Sequence, residues 1–330
     1  MLEHGGNLRD AVRRYGDLFK PADWIDLSTG INPHGYPAPA PSASAWHRLP
    51  ESDPELVAAA CAFYRAPQLL PVAGTQAAIQ ALPRLRAPCR VAVSAPSYAE
   101  HAHHWGLHGH VRTLVPYAAL EAAVDTHDVV VVVNPNNPTG EHIAPEYLLA
   151  WAARLRARGG WLVVDEAFGD TAAAMSVATH AAQPGLIVLR SVGKFFGLAG
   201  LRLGFVAAHD DVLAGLADLL GPWAVSGPAQ EIALRALRDT HWQQETRARL
   251  RQSGYRMTQL LQAHGIDSAG TPLFRWWPQE RPEDFHAHMA AHGIWCRLFR
   301  EAARGIRVGL PAHEPQWQRI ERALQEWSKR

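Results

Sequence analysis

Cysteine is scarce in this chain. Its 330 residues include three, Cys61, Cys89 and Cys296, and none stands at CxxC spacing. That argues against a disulfide framework or a thiolate zinc site and fits a reducing cytoplasm. An excess of either charge is missing too, with 32 Lys and Arg against 31 Asp and Glu and a net charge of +1. Without surplus cations to neutralise a phosphate backbone or an anionic bilayer, nucleic acid and membrane are poor partners. Long apolar runs are lacking. The purest, Val129–Val133, is far too short to cross a bilayer and reads as a strand buried on both faces. The opening residues, Met1 to Gly6, show no basic stretch followed by an apolar one, so no export signal is visible. The expectation is a cytoplasmic protein that binds a small molecule.

What is present supports a folded enzyme-sized chain. Hydrophobic residues make up 48% and charged residues 19%, enough apolar surface for a substantial core and too little polarity for disorder. The length suits one large domain plus a smaller one. Residues 1–40 are rich in Gly and Pro, with a short helix near Leu8–Tyr15; such an arm lies over another surface instead of building its own core. From there, short apolar runs alternate with helical stretches. Strands are predicted at Leu70–Ala73, Arg90–Ser94, Val111–Val115, Val129–Asn134, Trp161–Asp165, Ile187–Arg190 and Gly204–Ala207. Helices are predicted at Gln76–Leu85, Pro145–Arg158 and Asp210–Leu219. Strands separated by helices imply an α/β fold with a mostly parallel sheet between helices, here placed over 41–220. After Pro222 the composition shifts, and 221–330 reads as a smaller α+β domain. It has helices near Pro228–Leu237, Trp242–His264, Pro282–His292 and from Glu314, and strands near Leu273–Trp277, Ile294–Arg297 and Gly305–Val308.

In open parallel sheets, ligands collect at the carboxyl ends of the strands, and the polar signals fall there. Gly74-Thr75-Gln76 follows the first core strand and opens a helix, the arrangement of a phosphate cradle. Asn134-Pro135-Asn136-Asn137-Pro138-Thr139-Gly140 stops the Val-rich strand sharply and offers the Asn137 amide as a donor. Asp165 closes an apolar strand, where a carboxylate serves either as a cap or as a buried anion facing a protonated ring nitrogen. Lys194 lies among glycines and phenylalanines in Ser191-Val192-Gly193-Lys194-Phe195-Phe196-Gly197. There it reads either as a snorkelling lysine or as an amine activated by desolvation for imine formation. Arg202, between Leu201 and Leu203 in an apolar strand, needs an anionic partner such as a phosphate ester. Cradle, amide, carboxylate, lysine and arginine, in that order, meet the demands of one cofactor, pyridoxal 5'-phosphate. The histidines His101, His103, His104, His108 and His110 invite a metal reading. Beyond Glu100 no carboxylate or cysteine accompanies them at ligand spacing, so surface histidines on a helix are expected and no metal site.

These segments resemble the fold-type I aminotransferase superfamily over nearly the whole chain, through Asn137-Pro138-Thr139-Gly140, Asp165-Glu166-Ala167 and Lys194 to Gly204. The resemblance implies that Lys194 carries the cofactor and shuttles protons, and that Asp165 pairs with the pyridine nitrogen. It implies that Asn137 bonds the phenolic oxygen, that Tyr98 stacks on the ring, and that Gly74, Thr75, Gln76, Ser191 and Arg202 hold the phosphate. Within the superfamily the chain is similar to the threonine-phosphate decarboxylases of cobalamin biosynthesis, close relatives of histidinol-phosphate aminotransferases. The segments that carry this are His4-Gly5-Gly6-Asn7, Ile31-Asn32-Pro33, Leu189-Arg190-Ser191, Phe168, and Pro222-Trp223-Ala224-Val225-Ser226. The implied reaction converts threonine O-3-phosphate to 1-amino-2-propanol O-2-phosphate and carbon dioxide. The implied substrate contacts are His4, Asn32, Arg297 and Arg307, with Arg307 assigned to the carboxylate; Trp223 is placed near the site, the N-terminal arm over it, and a homodimer is implied.

Three positions depart from the common pattern: Gly193 replaces a hydroxyl residue, Gln76 an acidic or small one, and Phe168 a tyrosine. The same cofactor set serves decarboxylation and transamination, because the bond that breaks is the one held perpendicular to the ring. A histidinol-phosphate-type aminotransferase and, more remotely, a non-catalytic cofactor-binding protein are therefore the alternatives.

Overall fold

The computed structural model describes residues 4–16 and 19–329. By contacts the chain divides into two compact units. One comprises 1–34, 138–140 and 246–330, and the other 35–137 and 141–245.

In chain order the elements begin with helix α1 (Leu8–Tyr15) and strand β1 (Ile25–Asp26), followed by α2 (Ala43–His47), α3 (Pro54–Tyr64), β2 (Leu70–Val72), α4 (Thr75–Ala81), β3 (Arg90–Ser94) and α5 (Ala99–Leu107). Next come β4 (Val111–Val115), α6 (Leu120–Val124), β5 (Val129–Val133), α7 (Pro145–Arg156), β6 (Trp161–Asp165), β7 (Leu186–Ser191), β8 (Gly204–Ala207) and α8 (Asp210–Leu220). The chain ends with α9 (Gly227–Arg238), α10 (Thr240–Ala263), β9 (Ala269–Thr271), β10 (Phe274–Pro278), α11 (Pro282–Ala291), β11 (Ile294–Trp295), β12 (Arg297–Phe299), β13 (Gly305–Val308) and α12 (Glu314–Trp327).

The second unit is built on a seven-stranded sheet of order β2-β8-β7-β6-β5-β3-β4. Strands β7, β6, β5, β3 and β4 run parallel, while β8 and β2 add antiparallel at one edge. All five valines of β5 are buried, because the strand lies between β3 and β6 with helices over the sheet. Each such side chain contributes about 1.5–3 kcal/mol relative to exposure. In register, Val133 of β5 stands beside Asp165 of β6, so two chemistry-bearing strand ends finish level. At Gly204 an added Cβ would lie 2.8 Å from Thr75 N and 2.9 Å from Arg190 O; only glycine lets β8 approach the start of α4 so closely.

The predicted helix 76–85 is shorter than expected. Pro83 lacks an N–H and cannot continue the ladder, so α4 stops at Ala81 and a 3-10 turn, Leu82–Leu85, completes it. Helix α9 packs on α3, and its N-cap Ser226 accepts from Ala229 N.

In the first unit, β12-β13-β10-β9 form a four-stranded antiparallel sheet and β1 pairs in parallel with β11. The single run expected at Ile294–Arg297 is two strands broken at Cys296, each joined to a different sheet. Helix α1 falls where predicted, capped by the Asn7 side chain on Asp10 N. Ala11 of this helix is fully buried in a cluster with Trp24, Ala290 and Trp295.

Candidate active site

In the sheet-bearing unit one cavity is lined by Gly74, Thr75, Gln76, Tyr98, Asn137, Asp165, Phe168, Ser191, Lys194 and Arg202, together with their neighbours. All nine residues expected to hold a cofactor meet there.

The loops that present these groups are fixed by buried contacts. Gly74 adopts a φ of +74°, and a Cβ on it would lie 2.8 Å from an Arg202 guanidinium nitrogen. Glycine thus satisfies the left-handed turn and admits the arginine beside the first turn of α4. Arg202 itself is not inside a strand, as the flanking leucines suggested. Its φ is +54°, a left-handed residue that ends a 3-10 turn over Ala199–Leu201 and delays β8 until Gly204. Ser191 ends β7, and its Oγ accepts from Gly193 N at 3.1 Å. A Cβ at Gly193 would come within 3.3 Å of Ala199 Cα, so the lysine turn packs closely at this position.

Lys194 sits half-buried in that turn with its Nζ 5.3 Å from the centre of the Phe168 ring. The next two residues, Phe195 and Phe196, are wholly buried, and Phe196 stacks on Trp242 at 5.6 Å. Tyr36 N donates to Phe196 O at 2.8 Å. Aromatic packing on both residues after the lysine leaves its backbone little freedom.

At the end of β5, Asn134 bonds both backbone groups of Ile143, donating to O at 3.1 Å and accepting from N at 2.8 Å. Asn136 donates to Pro96 O at 2.8 Å. These two amides brace the turn that directs Asn137 to the cavity. Asp165 is 3% exposed and accepts from Ala167 N at 3.0 Å. Its other oxygen lies 2.8 Å from His101 Nε2, which therefore carries the proton of that bond. Tyr98 occupies the N-cap position of α5 and donates its hydroxyl to Gln76 Oε1 at 3.3 Å. Burial, with Glu100 and Asp165 adding and Arg202 opposing, pushes its phenol up to about 12. It remains a neutral ring.

The expected surface histidines need correction. His101 and His104 are buried on the inward face of α5, and His110, in the turn before β4, is buried with its ring bonded to Cys89 N and Pro83 O. His101, weighed in the sequence only as a metal ligand, is instead the partner of Asp165. Its spacing from Tyr98, one helical turn along the same face, was the available signal. Among the described residues no group of three His, Cys, Asp or Glu side chains could hold a metal ion. Trp223, expected near the site, does not line this cavity. It is exposed and lines an apolar one with Pro50, Leu220 and Val225.

The expected substrate contacts belong to the first unit. His4 and Arg297 line one cavity there with Asn7, Arg14, His286 and Arg300. Arg307 stands opposite Arg297 in the β12–β13 register, 4% exposed, donating to Ser28 O with its guanidinium 5.3 Å from the Phe274 ring centre. Burial, helped by Arg297, pulls Arg307 down to about 9, and a guanidinium so placed stays charged at neutral pH. Two adjacent cations, one of them fully desolvated, suit an anionic ligand. Asn32 is buried, its Oδ1 accepting from His34 N at 2.9 Å; neither it nor Arg307 lines the cavity of His4. Arg14, Arg300 and His286 carried no sequence signal, since each is distinguished only by tertiary placement.

A family model described as aminotransferase class I and II matches residues 22–321. The chain is 51% identical over 325 residues to a threonine-phosphate decarboxylase of Pseudomonas aeruginosa, covering 98% of this chain and 97% of that protein. It is 45% identical to a threonine-phosphate decarboxylase of a Sinorhizobium species, over 94% of this chain and 93% of that one. A solved structure of histidinol-phosphate aminotransferase from Sinorhizobium meliloti, in complex with pyridoxal-5'-phosphate, superposes with a TM-score of 0.82 at 23% identity. It covers 99% of this chain and 95% of that chain.

Proposed function

The chain belongs to the class I and II aminotransferase family, and we propose that within it the protein is a pyridoxal-phosphate-dependent decarboxylase of L-threonine O-3-phosphate. The observation that carries the choice of reaction is the end-to-end identity of 51% with a threonine-phosphate decarboxylase. The products are carbon dioxide and (R)-1-amino-2-propanol O-2-phosphate, the linker unit of cobalamin.

The lysine cavity fits the cofactor. Its lining offers hydroxyls and a guanidinium, a buried carboxylate, and an amine beside an aromatic ring. When bound, the cofactor supplies an electron sink for the pair left behind as a bond to the substrate's Cα breaks. Thr75, Ser191 and Arg202 hold its phosphate, with Gly74 and Gln76 shaping the cradle. Asn137 donates to its phenolic oxygen, and Tyr98 covers a ring face. Asp165 keeps the pyridine nitrogen protonated. His101 and Ala167 N, each donating to one Asp165 oxygen, hold the carboxylate in the orientation that task needs. Lys194 Nζ carries the cofactor and returns a proton to Cα after carbon dioxide has left.

Arg307 is assigned the substrate carboxylate and Arg297 with His4 the phosphate, with Asn32 as a further contact. These assignments rest on two neighbouring guanidiniums, which suit a ligand with two anionic groups. The arm over the site, the division into large and small domains, a homodimer and a cytoplasmic location belong to the same proposal. Among the described residues no helix is long and apolar enough to cross a membrane.

The direct test is release of carbon dioxide from L-threonine O-3-phosphate. Carbon dioxide and aminopropanol phosphate are expected in equal amounts, at a rate indifferent to added 2-oxoglutarate. Turnover that requires the keto acid, with the cofactor recovered in its amine form, would establish transamination instead. A second expectation concerns His101. Replacing it with Leu deprives a buried carboxylate of a donor, and kcat/KM is expected to fall about tenfold, a loss near 1.4 kcal/mol. An unchanged kcat/KM would show that Asp165 is held adequately without it.

A further inference from the structure

Two buried residues that the reaction scheme does not use, Glu100 and His104, are linked to the cavity lining through Gln76 and Tyr98. Glu100 and His104 are each 9% exposed and lie one turn apart on α5, with His104 Nε2 3.0 Å from Glu100 Oε2. The same carboxylate oxygen is 2.7 Å from Gln76 Nε2, and Gln76 Oε1 is 3.3 Å from the Tyr98 hydroxyl.

Chemistry dictates the direction of each bond. A carboxylate only accepts, so Gln76 must turn its NH2 toward Glu100 and His104 must carry hydrogen on Nε2. The 3.4 Å approach of Gln76 Nε2 to His104 Nε2 is then a meeting of two donors and no bond. With its NH2 committed, Gln76 has its oxygen fixed toward Tyr98, whose hydroxyl must donate. The arrangement also accounts for the amide at position 76. A carboxylate there would face Glu100 at hydrogen-bond distance, two like charges in a buried site.

The geometry points to Glu100 and His104 as positioning residues that act through Gln76 to hold Tyr98 against the cofactor. Neither needs to touch the cofactor or the substrate. Glu100 fixes the amide, the amide fixes the phenol, and His104 supplies the second donor that keeps the Glu100 carboxylate in one orientation. This rests on the cofactor reading of the cavity, since Tyr98 has a ring to cover only if that reading holds.

The test is a double-mutant cycle read as the dissociation constant of pyridoxal phosphate, titrated into apoenzyme, alongside the melting temperature of the apoenzyme. Glu100→Leu removes the acceptor and is expected to raise the dissociation constant about tenfold, whereas Glu100→Gln keeps an acceptor and stays within about threefold of the unaltered protein. In a Gln76→Leu background the relay is already cut, so Glu100→Leu is expected to add less than about twofold. His104→Leu is the milder second variant, raising the constant about threefold by loosening the carboxylate, again only while Gln76 is present. An equal effect of Glu100→Leu or His104→Leu in both backgrounds, or no effect in either, overturns the relay. Failure of the unaltered chain to bind the cofactor overturns the functional reading itself, a result distinct from normal binding that is indifferent to Glu100.

Discussion

Lys194→Ala is expected to abolish the absorbance band of the cofactor joined to the protein and to lower carbon dioxide release by at least about 10⁴-fold, the upper range for a group that moves a proton in the transition state. Borohydride should then fix no cofactor to the chain. The size of the effect follows from the lysine's isolation. It stands in a turn whose next two residues are wholly buried phenylalanines, with its Nζ over the Phe168 ring, and none of the other cavity-lining side chains is an amine. The cofactor itself should still bind through the phosphate contacts, so the variant is expected to be colour-shifted and inactive, yet folded. A persistent band, or borohydride labelling elsewhere in the chain, would assign the amine to another residue.

The largest expected effect on stability lies at Arg190, a few residues before the lysine turn. Its side chain is 2% exposed, with one guanidinium nitrogen on Glu166 and the other on Asp170. It also stacks 4.6 Å from the Tyr64 ring centre. Burial works against its charge, and Asp170 and Glu166 more than compensate, holding it above its usual range. Glu166 is bound further by Ser176 Oγ and by Val177 N at 2.9 Å. Arg190→Ala leaves two carboxylates buried without their cation and is expected to cost about 3–5 kcal/mol in urea unfolding of the apoenzyme. A loss under about 1 kcal/mol would mean that the carboxylates find protons or water at little cost.

Local signals are legible in the sequence, and tertiary ones are not. Val129–Val133 announces a doubly buried strand by composition alone. The Lys194 segment announces its chemistry because a lysine set among glycines and phenylalanines gains little from water and much from a covalent partner. Arg202 reads as a strand residue for a reason that no hydrophobic pattern can correct. A left-handed residue between two leucines looks like strand until the backbone is seen to turn. His101 and His104 read as solvent-facing groups because an array of histidines suggests a polar face, whereas the packing of α5 puts both of them inward. The carboxylates that receive them, Asp165 and Glu100, are both visible as residues but not as partners. The burial of Ala11 is hidden for a similar cause: it supplies no pattern by itself and depends on tryptophans, one of them far along the chain.

The break at Cys296 imposes a rule of length. Ile294 and Trp295 are committed to β1 in one sheet and Arg297 to its place opposite Arg307 in another, so a single residue carries the chain between the two pairings. Gain or loss of one residue there would leave the hydrophobic character of both strands intact while changing the reach of the link between them. Changes of length in this short stretch are thus constrained by counting, a restriction that substitutions at the same positions do not share.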